Sequence, residues 1–207
     1  WRAGTTGDRV GGRPCTLLRR ADQRVVPWRN GGGVTREVAI DPEGASTSAF
    51  RWRVSMAEVT SAGPFSPFPG IDRSLWLLEG NGMELRIGDA PPQLVNTRGQ
   101  IVRFAGETPV EARLLDGPTR DFNVMTRRAA CTHQAWYRPL VGPVVLDAGP
   151  GVEWIAHLVS GRARRQHVED AQELAGGDTL HLRHDPERPR VVLSGGGELV
   201  LVRIEAR

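Results

Sequence analysis

The chain has 207 residues, 39% hydrophobic and 25% charged, so it is long enough to bury a sizeable core and polar enough to be soluble. Its 27 basic residues are all arginines, scattered among 24 acidic residues for a net charge of +3, and this dispersed charge argues against a nucleic-acid-binding face. The lack of lysine excludes a Schiff-base lysine, and no apolar run reaches the roughly 18 residues of a membrane span.

Short β-type runs follow one another along the chain, and almost no stretch has helical periodicity. The first series covers residues 34–40, 52–59, 75–78, 83–87, 101–104 and 110–115, and the second covers 144–147, 152–159, 179–182, 191–193 and 199–204. Turns at 79–82, 89–92 and 194–197 separate the runs, and a joint with Pro and Gly at 137–143 divides the two series. Many short strands at regular spacing predict an all-β sandwich or barrel.

A weak internal repeat relates the two series. The run 76–80 resembles 157–161, since each is an apolar strand that enters a glycine turn, and 99–102 then parallels 177–180. Two copies of a small β-barrel would explain this pattern. We therefore expect a flexible extension over residues 1–14, a first cupin-like barrel over 15–132 and a second, degenerate one over 133–207. This division also allows the two barrels to exchange strands.

The N-terminal stretch and the two cysteines indicate the compartment. Residues 1–14 lack the apolar core of a secretory signal, and Cys15 and Cys131 have no CxxC context. Both features predict a cytoplasmic protein with two reduced thiols, although the sequence leaves a disulfide between them open.

The strand at 52–59 predicts a polar wall inside the first barrel. Side chains alternate along a strand, so Trp52, Val54 and Met56 share one face, which suits packing against another sheet. Arg53 and Ser55 lie on the other face. A buried arginine needs an anion, which is either a native carboxylate or a ligand carboxylate held by two parallel hydrogen bonds. The sequence leaves both readings open.

Two further segments and one isolated residue contribute candidate ligand-binding residues. The proline-stiffened loop at 62–73 predicts a rim or lid that presents Phe65, Ser66 and Arg73, and its alternative role is a connector that covers a barrel end. The segment 121–125 places Asp121, Asn123 and Met125 on one face of a strand, where they either bind a ligand or form an internal network. Thr35 adds a hydroxyl from the strand at 34–40, and Trp52 and Met125 are expected to add apolar walls or support.

The histidines argue against a metal. None of the five precedes residue 133, whereas cupin-type metal sites use an HxH pair with a downstream Glu and His. The spacing of His181 and His184 puts them on opposite faces of a strand. We expect neither a metal nor another cofactor.

Four segments resemble the HutD/Ves family of bacterial cupin-like proteins. They are WRNGGGVTREVAI (28–40), FRWRVSMAEVTSAGPFSPFPGIDRSLWLLEGNG (50–82), IVRFAGE (101–107) and LLDGPTRDFNVMTRR (114–128). The resemblance implies a two-barrel cupin fold, a bicupin, and a link to histidine utilisation in some members and to stress in others. It also implies binding of a histidine-degradation intermediate, such as formylglutamate or formiminoglutamate, in a regulatory role, with no enzymatic activity firmly attached to the family.

Three functions follow as hypotheses. The first is metal-independent, non-catalytic binding of a small anionic metabolite in the first barrel, with no nucleic-acid or membrane partner and with a homodimer compatible. The second is a metal-free isomerase or hydrolase that uses Asp121 or Glu37 as general acid or base. The third is an interaction protein whose apolar strand faces mediate assembly and whose pocket is vestigial. A filled first barrel in which internal carboxylates fully neutralise Arg53 would favour it.

Overall fold

The computed structural model describes residues 14–28, 31–166 and 172–207, and within them the chain forms β-strands and one 3-10 turn at Arg20–Asp22. The extension predicted for residues 1–14 lies outside this part of the chain except for Pro14. Among the described residues, no helix has the length and apolar character needed to cross a membrane.

Three antiparallel sheets make up the fold. The N-terminal large sheet contains, in spatial order, β2 (Val25–Pro27), β3 (Gly33–Asp41), β4 (Trp52–Val59), β11 (Thr119–Arg127), β6 (Ile71–Glu79) and β9 (Ile101–Ala105). The N-terminal small sheet contains β5 (Gly63–Pro64), β10 (Val110–Leu114), β7 (Met83–Ile87) and β8 (Gln93–Val95). The C-terminal sheet contains β1 (Cys15–Leu18), β15 (Thr179–Leu182), β13 (Val152–Arg165), β16 (Arg190–Ala206) and β12 (Cys131–Asp147), with β14 (Glu173–Ala175) paired to β13.

The N-terminal large sheet lies between the other two sheets, because both of its faces are apolar over much of their area. One face, with Leu75 and Leu77, packs on Met83 and Leu85 of the small sheet. The opposite face packs on the C-terminal sheet through a second core that contains, among others, Trp52, Val54, Met56, Phe122, Ile155 and Val202. The prediction that Trp52, Val54 and Met56 pack against another sheet is confirmed.

The C-terminal half has a core of its own and two long strands that the sequence patterns broke up. β12 and β16 pair along their whole lengths, so the predicted joint at 137–143 and the predicted turn at 194–197 both lie within strands. Gly195 and Gly197 have positive φ and let β16 pass so close to β13 that a Cβ at either would meet a carbonyl oxygen of β13. These glycines serve a close backbone approach and not a turn.

The strand β1 belongs to the C-terminal sheet, although the sequence division places residues 15–18 with the first barrel. Its four residues pair with β15, from Cys15 opposite Leu182 to Leu18 opposite Thr179. Cys15 therefore packs in the C-terminal core, whereas Cys131 is buried between the large sheets, and both thiols are free. The boundary at 132/133 remains a prediction.

The internal repeat has a matching backbone geometry in both halves. The Gly99 N–H donates to the Leu77 carbonyl at 2.9 Å, and the Gly177 N–H donates to the Leu158 carbonyl at 2.6 Å. Gly80 and Gly161, each three residues after that leucine, both have a φ of +94°. The glycine pattern of the sequence thus marks equivalent positions in both halves, directly after β6 at Gly80 and within β13 at Gly161.

Candidate functional site

Three neighbouring strands place most of the predicted residues on one face of the N-terminal large sheet. Met125 on β11 lies opposite Arg53 on β4 and opposite Arg73 on β6. In the next row, Asn123 lies opposite Ser55. Strands lie about 4.8 Å apart, so the two arginine backbones are roughly 10 Å apart with Met125 between them. We call this group, together with Asp121, the polar wall.

Arg53 has an internal partner. Its Nε donates to the Glu37 carboxylate at 2.8 Å, and both side chains are largely shielded from water. Glu37 is on β3, opposite Ser55 of β4, and shares the face of the polar wall. Of the two readings that the sequence left open for Arg53, the native carboxylate is present, and this one bond leaves the terminal nitrogens of the guanidinium for other contacts.

Arg73 is buried without a carboxylate partner in the described part of the chain. The residue is 6% exposed, its Nε has no hydrogen-bond partner, and its Nη1 reaches only the Ser66 carbonyl at 3.5 Å. The rings of Phe65, Phe68 and Phe104 surround the guanidinium, with centroids 4.8–5.6 Å from Cζ. Burial lowers the pKa of Arg73 to about 10; the charge of Asp121 raises it and that of Arg53 lowers it. An unpaired buried cation of this kind is costly, so its presence needs an explanation.

Asp121 and Asn123 add buried acceptors to the polar wall. Oδ2 of Asp121 and Oδ1 of Asn123 have no hydrogen-bond partner among the described residues. Burial raises the pKa of Asp121 to about 7, against the opposing effect of the Arg73 charge. A carboxyl group with this pKa can donate or accept a proton near neutrality, and an unpartnered amide oxygen can accept an N–H from a ligand.

The segment from Phe65 to Phe68 covers Arg73, and the backbone fixes it at both ends. The Phe65 N–H donates to Val110 and the Phe68 N–H donates to Gly106, each at 2.8 Å. Ser66 contacts Arg73 through its carbonyl oxygen, while the residue itself is exposed. The hydroxyl contribution expected from Ser66 therefore remains a prediction for the ligand-bound protein.

The remaining predicted residues fall on both faces of the sheet. Thr35 lies on the face of the polar wall, in the row of Ala57 and Asp121, and its hydroxyl accepts a hydrogen bond from the Trp28 indole at 2.7 Å. Met125 packs with Phe50 and Ile71 behind the two arginines. The expectation that Trp52 supports the site is wrong, because strand alternation points it into the core between the large sheets.

Sequence reasoning missed three partners of the two arginines. Alternation along β3 already places Glu37 on the face of Thr35, but its pairing with Arg53 depends on the register between β3 and β4. Phe68 belongs to the loop predicted at 62–73, and Phe104 to the strand predicted at 101–104. Nothing in either local pattern indicates a guanidinium between the two rings.

No group of three or more metal-ligating side chains comes together in the described part of the chain. Three histidines are engaged with neighbouring side chains: His133 with Thr126 and Ser74, His157 with Thr179, and His181 with Glu153. His167 lies outside the described residues.

Curated relatives match about half of this chain in sequence, and solved structures match its fold. An uncharacterised 21.2 kDa protein in the hutC 3′ region of Pseudomonas putida is 39% identical over 109 residues, 53% of this chain and 56% of that protein. The protein Ves of Cronobacter sakazakii is 44% identical over 108 residues, 52% of this chain and 58% of that protein. The chain thus spans somewhat more than half the length of the curated relatives it matches.

Solved structures extend the likeness to nearly the whole chain. HutD from Pseudomonas fluorescens superimposes with a TM-score of 0.79 at 25% identity, over 93% of this chain and 99% of that one. More distant structures at 10% identity, of the cupin type, show the fold alone. The predicted all-β, cupin-type fold is confirmed, with the sheets stacked and not closed into continuous barrels. The HutD family matches residues 20–201, most of the sequence, and the chain belongs to this family.

Proposed function

We propose that this protein binds a small dicarboxylate metabolite at the polar wall, without metal, and that binding serves a regulatory role in histidine utilisation or a stress response. The single observation that carries the proposal is Arg73, a buried cation with no carboxylate partner in the described residues and an unbonded Nε. A ligand carboxylate would supply the missing anion and would gain from a low-dielectric environment already shaped by three phenylalanine rings.

The other polar atoms fit the remainder of such a ligand. Arg53 lies two strands from Arg73 and keeps nitrogens beyond its Glu37 contact for a second carboxylate. The unpartnered Asn123 Oδ1 is matched by an amide or formimino N–H, and a protonated Asp121 by a carbonyl or formyl oxygen. Formylglutamate and formiminoglutamate combine these groups. Ser55, Ser66 and Thr35 would add hydroxyl contacts.

The relatives supply the metabolic context for this proposal. One is encoded in the hutC 3′ region and another is named HutD, while Ves has no such label. Membership of the HutD family and such a neighbourhood support a role in histidine utilisation. We place that role in the cytoplasm, where Cys15 and Cys131 would stay as free thiols.

Calorimetric titration of the whole chain with formylglutamate, formiminoglutamate, histidine and urocanate tests the proposal. We expect one of the two dicarboxylates to bind best, and Arg73→Ala to weaken it about 100-fold, because the variant removes a buried charge from a charge pair. Arg53→Ala should weaken it less, since Glu37 already offsets part of that charge.

Two control variants make the titration specific. Ser66→Ala keeps the carbonyl that contacts Arg73 and removes one hydroxyl contact, so it should weaken binding by less than about tenfold, far less than Arg73→Ala does. Arg86→Gln removes an exposed arginine of the small sheet and should change nothing. The absence of heat with all four compounds, or full affinity in Arg73→Ala, would reject the proposal.

A second candidate function rests on the pKa of Asp121. A buried carboxyl group with a pKa raised to about 7, within the influence of the Arg73 charge, is suited to general acid–base catalysis on a bound carboxylate. Proton NMR of each dicarboxylate incubated with the protein would reveal turnover. Conversion that disappears in Asp121→Asn while binding persists would favour an isomerase or hydrolase, and unchanged substrate after prolonged incubation would reject it.

A further inference from the structure

A cleft lies on the face of the N-terminal large sheet opposite the polar wall, where this sheet meets the C-terminal half. Its volume is about 140 Å³, room for roughly five water-sized groups. The strands β3, β4, β6 and β11 line one side of this interhalf cleft, and β13 with the turn at Gly177 lines the other. Neither Arg53 nor Arg73 is among its lining residues.

Two arginines at the cleft lack carboxylate partners in the described residues. Arg36 extends from β3, and one of its terminal nitrogens donates to the Arg20 carbonyl at 3.4 Å. Arg20 forms no ion pair there either, and its backbone N–H is held by the Asp178 carboxylate at 2.9 Å. A third arginine of the cleft, Arg120, is already paired with Glu79 at 2.8 Å. The cleft therefore offers two cations whose charges no internal carboxylate offsets by direct contact.

The position of Arg20 is built into the fold. The stem of its side chain lies so close to Gly177 that a Cβ at that residue would overlap it. Gln23, three residues later, donates to the Gly177 carbonyl at 3.0 Å and ties the same segment to the same turn. Arg20 thus projects from a fixed backbone, which reduces the entropy lost when it binds an anion.

The inner end of the cleft is apolar apart from one neutral ring. Met56, Leu78 and Val159 line it. His157 closes it: its Nδ1 is hydrogen-bonded to Thr179 at 2.8 Å and its ring packs on Phe122. Burial lowers the pKa of His157 to about 4, so the ring carries no charge at neutral pH. Glu58 and Glu79 also line the cleft, so its three arginines outnumber its carboxylates by one, and an apolar interior lies beside these charged groups.

From this arrangement we infer that the interhalf cleft is a second ligand site, for a small organic carboxylate whose anionic end pairs with Arg36 and Arg20 and whose short apolar body contacts Met56, Leu78 and Val159. Arginine pairs with planar carboxylates through parallel hydrogen bonds, and the cleft is too small for a long chain. The site stands independently of the polar wall.

Butyrate is the probe for this site, and butyramide is its uncharged control of the same shape. Titration of isotope-labelled protein should give saturable shifts of the Met56, Leu78 and Val159 methyl resonances with butyrate and none with butyramide. Arg36→Gln should weaken butyrate about tenfold, because it removes one charge-assisted contact. The glutamine keeps a donor for the Arg20 carbonyl, and an unchanged melting temperature would verify that the variant folds.

Two control variants separate this site from the polar wall. Arg73→Gln should leave the butyrate shifts at the cleft unaltered, and exposed Arg86→Gln should do the same. The inference is overturned if butyrate moves none of the three methyl groups, if butyramide moves them equally, or if Arg36→Gln and Arg20→Gln both retain full affinity. None of these results depends on whether a dicarboxylate binds at Arg73.

Discussion

The two halves of the molecule share a backbone plan but differ in what their inner faces display. In the N-terminal half, β11 pairs with β6 so that Asp121 faces Leu77 and Asn123 faces Leu75. In the C-terminal half, β16 pairs with β13 in the same register, and the corresponding pairs are Leu199 with Leu158 and Leu201 with Ala156. Each pair of strands has a register shift at the equivalent place.

This difference shows that the fold itself does not require polar residues at these positions. Leu199 and Leu201 show that the same strand arrangement can form with an apolar core. Both are buried as deeply as their N-terminal counterparts, Asp121 and Asn123. The N-terminal half instead buries an aspartate, an asparagine and an unpaired arginine, all of which cost stability. Polar groups buried at that cost, in positions where the repeat uses leucine, support the proposal that a ligand binds at the polar wall.

The largest expected change in the free energy of unfolding comes from exchanging equivalent residues between the halves. Leu201→Asn should destabilise the protein by about 3 kcal/mol, because it puts an unsatisfied amide into a packed core. Asn123→Leu should stabilise it by about 1 kcal/mol, since it removes a buried acceptor without a partner, and should weaken dicarboxylate binding. Urea unfolding of both variants measures these changes.

The sign of the second change decides this test. If Asn123→Leu costs as much as Leu201→Asn, then the amide is part of the scaffold and the difference between the halves has no functional meaning. Unchanged dicarboxylate affinity in Asn123→Leu would remove Asn123 from the site.

Glycine substitutions test the similarity of the halves instead of their difference. Gly80→Ala and Gly161→Ala should each destabilise by about 3 kcal/mol, because both residues have a φ of +94° and a Cβ would overlap a backbone carbonyl, that of Pro118 or of Gly196. Gly117→Ala is the control. It also has positive φ but open space around it, so about 1 kcal/mol is expected. Widely different losses of thermal stability in Gly80→Ala and Gly161→Ala would contradict the equivalence of these two positions.

Asp121 makes the stability of the N-terminal half depend on pH, whereas its counterpart Leu199 cannot titrate. The pKa of Asp121 rises from 3.8 to about 7 on folding, so its ionisation opposes the folded state. Its contribution to stability is complete below pH 4 and is lost as the pH rises towards 7. Between pH 5 and pH 7 the wild type should lose about 2 kcal/mol relative to Asp121→Asn. Urea unfolding of both proteins at the two pH values measures this, and parallel profiles would reject the raised pKa.

Local patterns were sufficient to predict much of the fold. The alternation in Trp52–Val59 gave both the bounds of β4 and its two faces, and the bounds of Met83–Ile87 and Thr179–Leu182 were also right. The glycines at 80, 99, 161 and 177 revealed the repeat because the backbone has a positive φ at all four positions. Most of the polar wall followed from the same period-two reading of β4 and β11.

The features that escaped prediction depend on contacts distant in sequence. The pairing of Arg53 with Glu37 requires the register between β3 and β4, and the ring cluster around Arg73 unites residues 65, 68 and 104. The long strands β12 and β16 were divided at glycines and prolines that usually mark turns, whereas here Gly195 and Gly197 serve close strand contact. No local periodicity encodes such contacts.

The pairing of β1 with β15 has a consequence for how the chain is made. A ribosome releases the N-terminal segments first, and both N-terminal sheets can form before β15 has been synthesised. Throughout that interval the edge later used by β1 does not exist, so Cys15–Leu18 has to wait while the first half condenses around its own core. Residues near the start of the fold would then be placed only after most of the chain has been made, and a gene cut between the halves would leave β1 on the wrong fragment.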